Sequence, residues 1–195
     1  MAESGKTVVL YVPEETKYEM SAVGIKHNTI GRTKDGWIVL MDEKDVVSLG
    51  SEGLPFKTYD LNRGIVNLTQ HKSTPEQQKE GVFDVPPRCD DKLKELLTFK
   101  EKPTYKEIAK RAEEISSLAC ECSPGAKKAM IGGAPYLMSS LEEALAKKGI
   151  EPLYAFSKRE SIEEVTPTGE VIKKSVFKHK GFISLKERIE RALTR

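Results

Sequence analysis

Three short runs in this chain of 195 residues gather side chains that could do chemistry: "QHKST" (Gln70 to Thr74), "GGAPY" (Gly132 to Tyr136) and "SKRES" (Ser157 to Ser161). Together they offer the amide of Gln70, hydroxyls on Ser73, Thr74 and Ser157, the imidazole of His71 and the guanidinium of Arg159. Gly132 and Gly133 add backbone amides with no Cβ in front of them. A phosphodiester ligand asks for this inventory, because amides at a helix start and charge-assisted donors both hold phosphate oxygens. His71 brings the imidazole of the set, in a polar run at a strand end, where a side chain reaches a ligand. "GGAPY" is not a GxGxxG fingerprint and lacks the Lys-Ser/Thr of a P-loop, and it reads equally as a tight strand-to-helix turn. Ser139 and Ser140 read as helix N-caps, with Glu142 and Glu143 as partners, rather than as nucleophiles. No acidic cluster with metal spacing stands out, so neither metal nor cofactor is expected.

For these runs to meet, the elements carrying them must end together. From Gly64 onward, short apolar runs alternate with helical patterns: "GIVNLT" (Gly64 to Thr69), "GVFDVP" (Gly81 to Pro86), Ala129 to Ile131 and "PLYAFS" (Pro152 to Ser157) read as strands. Thr74, Pro75 and Gln77 announce a helix with a capping box. A second helix is expected over Asp90 to Leu97. A third opens at Thr104 with a capping box to Glu107, shows Ile108, Ala112, Ile115 and Ala119 on one face, and stops at Ser123, Pro124 and Gly125. Leu137, Leu141, Ala144 and Leu145 mark a fourth. Such alternation predicts a mostly parallel sheet with helices on both faces, whose ligands collect where the strand order switches. "RESIEEVT" and "EVIKKSVFKH" flank "PTG" (Pro167 to Gly169) and predict a β-hairpin arm, followed by a last helix from Ser184 with Glu187 in its first turn.

Composition narrows the partners. Lys and Arg number 32 against 30 Asp and Glu, so no global basic field suits duplex DNA or a membrane surface. No apolar run is long enough for a bilayer and no charged-then-apolar leader is present, so a cytoplasmic location is expected. Cys89, Cys120 and Cys122 make an odd set without framework spacing, which disfavours a disulfide scaffold, and "CEC" is not a zinc pair. Residues 1–63 read as a separate small β-rich unit, with "KTVVLYV" (Lys6 to Val12), "IKHNTIG" (Ile25 to Gly31), "WIVLMD" (Trp37 to Asp42) and "DVVSLG" (Asp45 to Gly50) as strands. His27 and Trp37 read there as packing or surface residues. Residues 64–195 form the second unit.

In that second unit "NLTQHKSTPEQ", "MIGGAPYLM", "PLYAFSKRESIEE" and "TGEVIKKSVFKHKGF" resemble the small CRISPR-associated Rossmann-fold (CARF-type) proteins that act as ring nucleases, over about residues 64–183. The resemblance implies a Rossmann-like domain, a twofold homodimer whose paired pockets bind one cyclic oligoadenylate, and metal-independent cleavage by ribose 2′-OH attack on the adjacent phosphate. On that reading the amides of Gly133 and Ala134 and the hydroxyls of Ser73 and Thr74 hold phosphate, and Tyr136 stacks on adenine or lines its pocket. Arg159 or Lys158 neutralises the developing charge, and His71 serves as acid or base. Arg159 also reads as an ion-pair partner of Glu163 along the arm. Two other readings keep the same pocket: a non-catalytic cyclic-nucleotide sensor, and a nucleotide-binding α/β protein unrelated to second messengers.

Overall fold

Strand residues alternate between two faces, and the side chains along the central strands sort themselves accordingly. The computed structural model describes residues 6–165 and 171–186. Its strands are β1 (Thr7–Pro13), β2 (Asn28–Arg32), β3 (Gly36–Asp42), β4 (Lys57–Thr58), β5 (Ile65–Leu68), β6 (Val82–Asp84), β7 (Lys128–Ile131), β8 (Glu151–Val165) and β9 (Val171–Ser184). The helices are α1 (Glu14–Ala22), α2 (Glu43–Ser51), α3 (Pro75–Lys79), α4 (Pro87–Leu97), α5 (Tyr105–Cys122) and α6 (Pro135–Lys147). All the strands join one mixed sheet in the order β4-β1-β3-β2-β6-β5-β7-β8-β9.

The protein is thus mixed α/β, but the expectation of a mostly parallel sheet needs correction. Among the described residues β5 pairs in parallel with β6 and β7, and β7 with β8, while five other pairings are antiparallel. The parallel strands β6-β5-β7-β8 lie inside an antiparallel frame. Val66, Leu68, Ala129 and Ile131 point to one face and pack against α4, α5 and α6 through Leu93, Ile115, Leu137 and Leu141. Ile65, Val82, Met130 and Leu153 point to the other, where Phe182 of β9 covers them.

Several helix limits follow from local chemistry. Thr74 and Gln77 exchange the two bonds of a capping box around Pro75, and Thr104 caps α5 by accepting from the Glu107 amide. Ser123 ends α5, and its hydroxyl donates to the carbonyl of Ile30 at 2.7 Å. That carbonyl lies at a bulge in β2, between Thr29 and Gly31, and the neighbouring Thr29 carbonyl accepts from Arg88. Two backbone acceptors displaced from the ladder are thereby satisfied from the helical layer. Ser139 and Ser140, expected as N-caps, lie inside α6, whose N-cap is Ala134 with Pro135 at its first position.

The first 63 residues are not β-only. Asp45 to Gly50, expected as a strand, lies in α2, and Glu14–Ala22 forms a helix that no strong apolar stripe announces: only Thr16 and Met20 are buried. The strands β1 to β3 do form, and Trp37 is a packing residue, 5% exposed, with the Lys17 ammonium 3.5 Å from its ring centroid. Cys89 and Cys122 form a disulfide between the first turn of α4 and the end of α5, contrary to the odd-count argument, and Cys120 is the free cysteine. With a separation of 33 residues, such a link removes denatured-state entropy worth about 3–4 kcal/mol. The expected turn at Pro167 to Gly169 and the expected helix beyond residue 186 lie outside the described residues.

Candidate functional site

In chain order the four parallel strands run second, first, third, fourth, so the order reverses between β5 and β7. The loops leaving neighbouring strands there diverge and leave a crevice at the carboxyl ends. A cavity of about 400 Å³ occupies that place. Gln70, His71, Lys72 and Thr74 line it from the loop after β5, Gly132 and Gly133 from the loop after β7, and Tyr154 and Ala155 from β8.

The loop after β5 is held by a buried polar network. Asn67, 3% exposed, donates from Nδ2 to the His71 carbonyl and to Asp84 Oδ1, each at 2.7 Å, and its Oδ1 accepts from the amide and hydroxyl of Thr69. The Ser73 amide donates to the same Asp84 oxygen at 3.0 Å. These bonds fix the backbone of residues 69–73 and leave the His71 side chain exposed at the cavity wall. Lys72 donates to Asp90 Oδ2 at 2.9 Å, as Lys94 does at 3.0 Å. Partial burial works against the charged Asp90 carboxylate, but these two ammonium donors outweigh it and hold its pKa below the ordinary value.

The second wall is backbone. Gly133 has φ +150, a conformation that side-chain-bearing residues avoid, although a Cβ there would find only ordinary contacts with Met138 and Leu97. Gly132 carries no such constraint, and a Cβ on it would meet Thr69 Cγ2 at 3.6 Å. After them α6 starts with no side-chain cap and no acidic residue in its first turn, so the partial positive charge of its N-terminus is not offset locally. Tyr154 closes the far side. Its hydroxyl donates to the buried Glu142 of α6 at 2.6 Å, and burial pushes its pKa up.

The structure therefore brings Gln70, His71, Thr74, Gly132 and Gly133 together around one cavity. It places others elsewhere. Ser73 is buried behind the loop, and its hydroxyl accepts from Gln78 Nε2 at 3.0 Å. Ala134 is the N-cap of α6, and Tyr136 sets its ring edge-on to Phe99, with neither lining the cavity. Ser157, Lys158 and Arg159 do not lie on a loop. β8 continues through them into the arm, opposite His179, Lys178 and Phe177 of β9, and all three are exposed. Among the described residues, no group of three or more His, Cys, Asp or Glu lies close enough to hold a metal ion. No helix among them is long and apolar enough to cross a membrane.

Residues 63–183 match the family described as the Uncharacterized protein MJ1673 family. The chain belongs to that family. The match takes in the parallel strands, both walls of the cavity and the arm, and begins after β4. No curated protein and no solved structure matches the chain. The description of the MJ1673 family names no activity, so the chemistry rests on the cavity's own residues. Among these, sequence reading missed Thr69, Lys72, Gln77, Tyr154 and Ala155. Lys72 and Gln77 stand in or beside the quoted "QHKST" run. Asn67 and Asp84 carried their own signal, as polar residues within otherwise apolar buried runs.

Proposed function

We infer that the switch-point cavity binds an adenylate phosphodiester and that the protein is a ring nuclease acting on cyclic oligoadenylate. One observation carries the reading: an imidazole and the loop of two glycines border one cavity at the carboxyl ends of β5 and β7, and that glycine loop leads directly into the uncapped N-terminus of α6. The strand order supports a Rossmann-like description of that half of the sheet. In the proposed reaction a ribose 2′-oxygen attacks the adjacent phosphorus, and the bond to the 5′-oxygen breaks. The products are a 2′,3′-cyclic phosphate and a free 5′-hydroxyl. His71 takes the 2′ proton while water protonates the 5′-oxygen, or supplies that proton while water takes the 2′ one, and the Gly133 amide and the α6 N-terminus stabilise the phosphorane charge. A cavity of 400 Å³ is at the small end of the range for ligand sites, about 300–1,000 Å³, and suits one nucleotide better than a ring. A ring of four adenylates then spans the cavities of two copies, which makes the working form a homodimer, placed in the cytoplasm with its ligand.

The sensor reading keeps its own support. The lysine that lines the cavity, Lys72, is paired with Asp90, and Lys158 and Arg159 stand on the arm, outside the lining. One experiment separates these readings. Pure protein without added metal is incubated with cyclic tetra-adenylate and cyclic hexa-adenylate, and the products are resolved by chromatography. Cleavage that slows about 100-fold in His71→Ala, with affinity unchanged, supports the nuclease. Tight retention of intact ring supports the sensor, and neither result leaves an unrelated nucleotide-binding protein.

A further inference from the structure

Behind the loop of residues 70–74 lies a second cavity of about 310 Å³, lined by Arg32, Lys34, Lys72, Ser73 and Asp84 among others. Asp84 ends β6 and is 8% exposed. Its Oδ1 accepts two hydrogen bonds, from Asn67 Nδ2 and the Ser73 amide, while Oδ2 accepts none among the described residues. Because Asp84 lines the cavity, this unbonded oxygen is open to accept from a donor placed there. Ser73, equally buried, accepts from Gln78 Nε2, and its own hydroxyl hydrogen has no acceptor among the described residues. Arg32, Lys34 and Lys72 line the same cavity; Arg32 lies 3.8 Å from Glu14 and Lys72 2.9 Å from Asp90, while Lys34 has no ion-pair partner among the described residues.

This combination selects a chemical class. An ammonium or metal ion would satisfy Asp84 but would face three positive side chains. A plain anion would suit the cations but would meet the Asp84 carboxylate. The demands are reconciled by a molecule with a neutral hydroxyl donor at one end and a phosphate at the other. We propose that the second cavity binds a sugar phosphate, with one sugar hydroxyl donating to Asp84 Oδ2, another sugar oxygen accepting from Ser73 Oγ, and the phosphate at the far end facing Arg32 and Lys34. This site is separate from the switch-point cavity, with Lys72 lining both, and it stands whether or not that cavity cleaves a cyclic nucleotide.

Asp84→Asn is an unusually clean test. Asn67 Nδ2 and the Ser73 amide both donate toward Oδ1, so the new amide must keep its oxygen there and turn its NH2 toward the cavity, where it cannot accept. The full chain with assigned amide resonances is titrated with ribose 5-phosphate, ribose and inorganic phosphate. The expected result is a saturable shift of the Lys34 and Ser73 amides, tightest for ribose 5-phosphate, with affinity reduced about 10-fold or more in Asp84→Asn while phosphate alone binds as before. Lys34→Met, an exposed substitution, weakens ribose 5-phosphate and phosphate together and serves if Asp84→Asn does not fold. The proposal is overturned if phosphate binds as tightly as ribose 5-phosphate, if shifts are confined to Gly132 and Gly133, or if neither substitution changes affinity. The last two outcomes leave the nuclease reading untouched, because cyclic tetra-adenylate cleavage is assayed separately.

Discussion

In the half of the sheet formed by β4, β1, β3 and β2, every pairing is antiparallel, so successive strand ends point opposite ways and their loops are shared between both edges of the layer. In β6, β5, β7 and β8 the pairings are parallel, and the strands deliver their loops to one end. Both halves are built from similar apolar strands. Direction, rather than the polarity of any one loop, concentrates the chemistry in the second. The first half lends it one turn, Arg32 to Lys34, at the point where Arg32 of β2 pairs with Asp84 of β6.

That junction is the place to break the comparison with the largest effect. Phe83 is fully buried on β6, and a Cβ built on Gly31 of β2 would lie 2.3 Å from its ring. The ring therefore fills the space that Gly31 leaves and joins the two halves. Phe83→Ala is expected to cost about 3–5 kcal/mol. It should also make the halves melt apart: the fluorescence of Trp37, the lone tryptophan, reports the antiparallel half, while far-UV circular dichroism is weighted toward α4, α5 and α6. A single coincident transition in the variant would show that Phe83 does not couple them.

Much of the parallel half was legible in the sequence because its signals are local. The Thr74, Pro75 and Gln77 box, the Thr104 cap and the Ser123 to Gly125 stop depend on residues within a few positions of each other, and each is found in place. The misreadings depend on distant partners. "DVVSLG" is too short for its period to separate strand from helix, and tertiary packing, which buries Leu49 completely, decides it. The Cys89–Cys122 link joins residues 33 apart, and nothing in their spacing announces it. "PLYAFS" reads as a whole strand, which sets "SKRES" at a strand end beside the cavity, whereas β8 runs on without a break to Val165. Gln70, His71 and the glycines fall on the walls of one cavity because strand-end loops in a parallel sheet converge without any long-range information.

The glycine pair sharpens the comparison at intermediate cost. Gly133→Ala forces a side chain into φ +150 and is expected to destabilise by about 1–3 kcal/mol whether or not ligand is present. Gly132→Ala places a methyl on the cavity wall without that strain, so its melting temperature should barely move while affinity for cyclic tetra-adenylate falls. Thermal melts and titrations on both variants check this. Equal loss of stability in the two would make the turn structural only.

The smallest effect belongs to the arm, which is part of neither half. Glu160 is held between Lys178 at 2.9 Å and Lys180 at 3.0 Å, and hydrogen bonds from these two ammonium groups pull its pKa down from 4.5 to about 2. Because the folded value is depressed, the pairs contribute fully above the ordinary carboxylate range and are lost as pH falls through about 2. A carboxyl NMR titration should place the Glu160 midpoint near 2, and Lys178→Ala should raise it toward the ordinary value. A midpoint near 4.5 in the unaltered protein would dissolve the pairing.

The arm also has a mechanical meaning. β8 has 15 residues, about 50 Å of strand, of which only Glu151 to Tyr154 pair with β7. Tyr154 and Ala155, at the point of departure, form part of the cavity wall, and no loop separates them from the ribbon beyond. At the base the ladder slips by one residue between Phe156 and Ser157, opposite Gly181 at φ +124. β8 passes through that slip without a break. Any displacement of the ribbon therefore has an unbroken main-chain route to the wall of the cavity.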